Sequence, residues 1–219
     1  MGLGCRTARG VPAKADPVAQ QRSLDRELRP RRAEAAAGKR RVLFADAAHF
    51  ARGAFVGYLW CLARWVVPTG RGRQRSNVLG ARDAVTHELV RETNAGVVDQ
   101  VTAGRLLRRI RERYPTGPIT VVWDNARYQH TPLVRSRAAC YRIELLSLPP
   151  DSPNLNPIER VWKFVQSDAL ANRWRADSAA FRTTIDTTLD QRHTTHRDRM
   201  RSLLALNFQV LEPASVPAA

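Results

Sequence analysis

An α/β fold with a mixed sheet is the architecture this sequence predicts, and three observations predict it. Val42-Leu43-Phe44-Ala45 and Ile119-Thr120-Val121-Val122-Trp123 are short, almost wholly apolar runs of the kind that forms strands buried on both faces. Ala103, Leu106, Leu107, Ile110 and Tyr114 recur at helical spacing, as do Phe181, Ile185 and Leu189. Strand-like segments come first, and strand and helix then alternate.

The elements follow in order. Residues 1–22 place apolar side chains without a period and read as lacking fixed structure. Leu24 to Ala37 reads as a short helix, and the regular part starts at Arg41 with a strand that ends at Asp46. Phe55 to Val67 is apolar and aromatic, and Gly70 to Ser76 is a basic loop. Asn77 to Asp83 and His87 to Arg91 read as two strands of a hairpin or meander. The helix through Ala103 to Tyr114 is stopped by Pro115, and the strand Ile119 to Trp123 ends on Asp124. Leu133 to Tyr141 reads as a helix, Ile143 to Leu148 as a third apolar strand, and Pro149 to Pro153 as a turn. A helix then begins at Asn156-Pro157, and a last one covers Ser178 to Arg192.

Composition narrows the function. Thirty-six basic residues against 20 acidic ones give a net charge of +16 over 219 residues, almost all of it before residue 151. A polyanion, most simply nucleic acid, is the partner such a balance implies. Thirty-three of the basic residues are arginine, which a GC-rich genome would favour over lysine, but that bias does not explain the shortage of acids. The longest apolar run, Phe55 to Ala63, has nine residues, far from the ~20 needed to span a bilayer, so no membrane is expected. Met1 to Gly10 has no apolar core of a signal peptide. Cys5, Cys61 and Cys140 are odd in number and far apart, which fits free thiols in a reducing cytoplasm, with Cys61 and Cys140 buried.

Three acids stand where chemistry favours them. Asp46 and Asp124 each follow a buried strand, and the C-terminal ends of such strands are where open α/β sheets place ligands. Each also reads as an ordinary turn or cap residue, Asp124 with Asn125 above all. Glu159 follows Asp124 after 34 intervening residues. Asn156 as cap, Pro157 as first helical residue and Glu159 as third make a capping-box pattern, which is its structural reading. As a set on a basic chain, the three suit another purpose. Carboxylates converging on one crevice hold two divalent cations about 4 Å apart, which clamp the attacking and leaving oxygens of a phosphodiester. Hard oxygen donors without a Cys or His set favour Mg²⁺ or Mn²⁺ over zinc.

Phe44-Ala45-Asp46-Ala47-Ala48-His49-Phe50, Val121-Val122-Trp123-Asp124-Asn125-Ala126-Arg127-Tyr128 and the run from Leu148 to Lys163, LPPDSPNLNPIERVWK, together resemble the DDE catalytic domain of mariner-like transposases of bacterial insertion sequences. The resemblance covers about Arg41 to Arg175, and the last motif and the 34-residue spacing are specific. It implies a ribonuclease-H-like fold, with Asp46 on the first strand, Asp124 after the fourth and Glu159 on a following helix. It also implies that these three bind the metal ions of a DNA endonuclease and strand transferase. That enzyme releases a 3′-hydroxyl at a transposon end and joins it to target DNA without a covalent protein intermediate. Double-stranded DNA is then the partner, and a homodimer is a possible assembly. The sequence departs from the family at Ala47, where many members have Glu, and at Asp151, where many have Tyr.

The domains expected are a basic leader (1–40), a catalytic domain (41–175) and a C-terminal helix with its tail (176–219). The leader is too short and too Arg- and Pro-rich for the helix-turn-helix modules the family carries, so the chain reads as truncated or split. Arg71, Arg73 and Arg75 form a basic loop suited to a DNA backbone, and Asn125 is a candidate second contact. His49, His130, His193 and His196 read as structural or solvated residues, and Trp123 and Trp162 as core. Two rivals share these features. One is an inactive, basic DNA-binding remnant, and the other is a ribonuclease-H-like nuclease acting on hybrids or junctions.

Overall fold

A computed structural model of the chain describes residues 16–52, 62, 66, 74–173, 175 and 177–191. Five strands form one mixed sheet: β1 (Arg41–Ala51), β2 (Arg75–Asp83), β3 (Leu89–Asn94), β4 (Ile119–Trp123) and β5 (Ile143–Ser147), in the order β3-β2-β1-β4-β5. β1, β2 and β3 pair antiparallel, whereas β4 and β5 run parallel to β1. The order follows from the connections. β2 and β3 are joined by a short turn, β1 and β2 by the longer segment 52–74, and β4 and β5 are each reached through a helix, α3 (Gln100–Arg113) and α4 (Pro132–Cys140).

Alternation along the strands builds two cores. Leu43, Ala45, Leu79, Ala81, Val121 and Trp123 pack with Leu106, Leu107 and Ile110 of α3 and Val134 of α4. Val42, Phe44, Ala48, Phe50, Val78 and Val122 face the other way. That face is covered by α1 (Pro17–Ser23), α2 (Arg29–Ala36), α5 (Glu159–Phe164) and α6 (Ser178–Gln191), through Leu24, Leu28, Ile158, Trp162, Ile185 and others.

Three expectations are corrected. Helix begins at Pro17, inside the segment read as unstructured. The Asp16 carboxylate accepts from Val18 N and Ala19 N at 2.9 and 3.0 Å, and Pro17 opens the first turn. A π-helical turn, Leu24–Leu28, precedes Pro30, whose ring nitrogen cannot donate, and this turn shifts the apolar stripe and hides its period. Next, β1 does not end at Asp46 but runs on to Ala51, because β2 continues to pair with it as far as Ala51↔Arg75. Finally, Cys140 is exposed on the last turn of α4 instead of buried. Cys5 and Cys61, like Arg71, Arg73, His193 and His196, lie outside the described residues. No helix among the described residues is long and apolar enough to cross a membrane.

Candidate active site

The crevice arises where two parallel strands part. β1 and β4 stay in register from Arg41↔Ile119 to Phe44↔Val122, and the two strands then part while β4 stays paired with β5 as far as Trp123↔Ser147. Asp46 and Asp124 each stand two residues beyond the last pair, Phe44↔Val122, so both side chains share the face of Phe44 and Val122. That face is the one α5 covers. Glu159 is the first residue of α5 and lines, with the two aspartates, a cavity of about 320 Å³. Leu148 to Pro153 and Asn156 complete the wall.

Asn156 ties this helix start to the sheet. Its amide donates to Ala45 O, next to Asp46, at 3.0 Å. The backbone at Asn156 is extended, and the first turn closes through tight bonds such as Val161 N to Ile158 O at 2.8 Å. The helix therefore starts at Glu159 and not at Pro157. Asn156 does accept from Ile158 N at 3.4 Å, as a cap would, but the box is not closed by Glu159, which takes the first helical position and faces the cavity.

The electrostatics are those of a carboxylate cluster with a cation, Lys163, that acts on Glu159 from outside the cavity. Burial, with Asp124 and Glu159 nearby, pushes the Asp46 carboxyl up to about 7, against hydrogen bonds from Ala47 N and Trp162. Burial also raises Glu159, opposed by Lys163 and reinforced by Asp124. Among the described residues no Lys or Arg lines the cavity. The oxygen-only donor set and its uncompensated charge fit a hard divalent cation. Among the described residues no three carboxylate, imidazole or thiol groups are already drawn close enough to hold one, as expected for like charges that repel.

The remaining sequence candidates divide. Asn125 lines the same cavity, but its amide donates to Leu148 O at 2.6 Å and joins the two loops that end β4 and β5. Arg75 is exposed at the start of β2. His49 is held by Asn77 at 2.8 Å between ring nitrogen and amide oxygen. Trp162 is buried core as the sequence suggests, but its contact with Asp46 and the whole role of Gln129 escaped the sequence reading. Trp162 Nε1 donates to Asp46 Oδ2 at 3.0 Å, and Gln129, on the 3₁₀ turn Arg127–His130, donates to Asp124 Oδ1. The spacing of Trp162, three residues after Glu159 on one helix, was a visible signal; Gln129 had none.

The strand order, with carboxylates where the central parallel pair parts, defines a ribonuclease-H-like protein. A model of the DDE superfamily endonucleases matches residues 41–182, and the chain belongs to that family. The catalytic domain of the Mos1 mariner transposase shares the fold at a TM-score of 0.59 and 15% identity, over 93% of this chain and 100% of that one. A Mos1 mariner paired end complex with Mn aligns at 0.65 and 14% identity, over 97% of this chain and 69% of that one. An uncharacterized protein of Sinorhizobium fredii (strain NBRC 101917 / NGR234), y4pE/y4sA, is 40% identical over 53 residues. That match spans 24% of this chain and 37% of the relative.

Proposed function

We propose that this chain carries the chemistry of a transposase: metal-dependent cutting and joining of DNA phosphodiesters. The observation that carries the reading is the meeting of Asp46, Asp124 and Glu159, from β1, the end of β4 and α5, in one cavity free of Lys and Arg among the described residues. Likeness to a Mos1 paired end complex with Mn supports a divalent cation and DNA ends as the groups handled there.

Asp46, Asp124 and Glu159 would hold two Mg²⁺ or Mn²⁺ ions, which when bound supply Lewis-acid activation of the attacking oxygen and neutralise charge on the phosphate. The three elements hold the carboxylates at one cavity, and the Leu148–Pro153 loop walls one side of it, where the phosphate would sit. In cutting, a water oxygen bonds to phosphorus and the 3′ oxygen departs as a hydroxyl. In joining, that hydroxyl takes the place of water at a second phosphodiester. No side-chain nucleophile is needed.

A second cavity of about 260 Å³, between α3 and α4, supports DNA as the partner. Arg105, Arg108, Arg137 and Tyr141 line it, and no acidic side chain does among the described residues. Such a rim suits phosphate and carries no base readout.

Supercoiled plasmid incubated with these 219 residues in Mg²⁺ or Mn²⁺ tests the reading. Nicking with little sequence preference, lost in Asp124→Ala, is expected. No nicking by folded wild-type protein in either ion would leave an inactive DNA-binding remnant. Cleavage confined to defined ends would place end recognition within these residues.

A further inference from the structure

Each aspartate of the cavity is gripped by a neutral donor from the interior. Trp162 Nε1 reaches Asp46 Oδ2 at 3.0 Å, and Gln129 Nε2 reaches Asp124 Oδ1. Both donors are buried, at 5% and 1% exposure, so neither is a mobile surface contact. Burial of Gln129 is otherwise unfavourable: its side-chain oxygen has no partner among the described groups, which is costly inside a protein. What the position gains is an amide N–H aimed at Asp124, beside a hydrogen bond to the Tyr128 hydroxyl.

The opposite strand makes room for the indole. Gly80 on β2 is the register partner of Asp46. A Cβ there would stand 2.7 Å from Trp162 Cη2 and 3.1 Å from Cζ2, closer than packed atoms approach. The backbone of Gly80 is not in the left-handed region, so space for the ring, and not backbone freedom, is what the glycine provides. On α5, Trp162 follows Glu159 by three residues, so one face of that helix delivers a carboxylate and an N–H to the same place.

We propose that Trp162 and Gln129 are positioning residues: each holds its aspartate carboxylate in the orientation in which it would present to a divalent cation, with Gly80 setting where the indole stands. The inference rests on the functional reading above. Neutral donors suit this task. Arg or Lys in their place would orient the carboxylates but cancel the charge that attracts the cation. Groups that orient metal ligands in this manner change metal affinity by about 10- to 100-fold when removed.

Calorimetric titration of the full chain with Mn²⁺ alone, with thermal melting of each variant in parallel, tests this. Trp162→Phe keeps the ring and loses the N–H; Gln129→Met keeps the volume and loses the donor. Both are expected to bind Mn²⁺ about 10- to 100-fold more weakly per folded molecule. Gly80→Ala should weaken binding too, although Asp46 and Trp162 are then chemically intact. A lowered melting temperature with unchanged Mn²⁺ affinity would reduce these residues to packing and overturn the inference. Should Trp162→Phe fail to fold, Gln129→Met decides alone. Absence of Mn²⁺ binding by wild-type protein would remove the functional reading and this inference together; wild-type binding with unaffected variants would remove only the inference.

Discussion

Asp46 and Glu144 are both partly buried carboxylates on strands of one sheet, and their surroundings drive them in opposite directions. Asp46 meets two other carboxylates and a neutral indole N–H, and burial pushes it up to about 7. Glu144, on β5, accepts from Arg31, from Arg40 Nη1 at 2.6 Å and from Thr120 Oγ1 at 2.7 Å. Led by the Arg31 hydrogen bond, these partners hold it down at about 2. On the proposed function, the contrast separates an acid kept for a ligand from an acid kept for the fold. At Glu144 the protein supplies the cations itself, and they join α2 to β4 and β5. At Asp46 it leaves charge unbalanced.

The largest effect should come from the unbalanced side. Asp46→Asn removes the charge that the neighbouring carboxylates repel while its amide oxygen still accepts from Trp162, so the melting temperature of the metal-free protein should hold or rise. Plasmid nicking should fall at least about a thousandfold, equivalent to roughly 4 kcal/mol in the barrier. A clear fall in melting temperature instead would make Asp46 a structural acid like Glu144.

A change in the other core should do the reverse. Leu107 is fully buried on α3, against the sheet face opposite the carboxylates. Leu107→Ala is expected to cost about 3 kcal/mol in denaturant unfolding. Mn²⁺ affinity of the folded protein should stay within about twofold, since distant, independent sites add with little coupling. A large loss of Mn²⁺ affinity would show that the two faces are coupled.

How much of this was legible follows from which interactions are local. Val42 to Ala45 and Ile119 to Trp123 are apolar on both faces, so their strands and the aspartates after them could be read directly. Whether those aspartates share a face depends on the register Phe44↔Val122, a long-range pairing that no local pattern encodes. The continuation of β1 past Asp46 was hidden for the same reason, since it depends on β2. Glu159 could be located but had two local readings; the choice depends on Asn156 turning to Ala45 O across the sheet. Gln129 is polar on a short turn, and only the folded chain shows it buried against Asp124. At the N-terminus, Asp16-Pro17 was a legible helix start, but the π-helical turn before Pro30 broke the period that would have supported it.

The smallest effect belongs to Glu144 and has a pH signature. Its carboxyl is lowered from an ordinary 4.5 to about 2 in the folded protein, so the folded state favours the ionised form more than the unfolded state does. The stabilisation is therefore fully present above about pH 4.5 and is lost as pH falls towards about 2. The side chain is 37% exposed and solvent screens the pair, so its contribution is about 1 kcal/mol. Glu144→Gln retains the shape and a hydrogen-bond acceptor but loses the charge seen by Arg31 and Arg40. Urea unfolding of the two proteins should differ by about that amount at pH 7 and converge as the wild-type carboxyl protonates below pH 4.5. Nicking at pH 7 should be unchanged, because Glu144 does not line the carboxylate cavity. A stability gap that persisted at pH 2 would show that Glu144 acts through packing and not charge, and the contrast with Asp46 would then fail on its structural side.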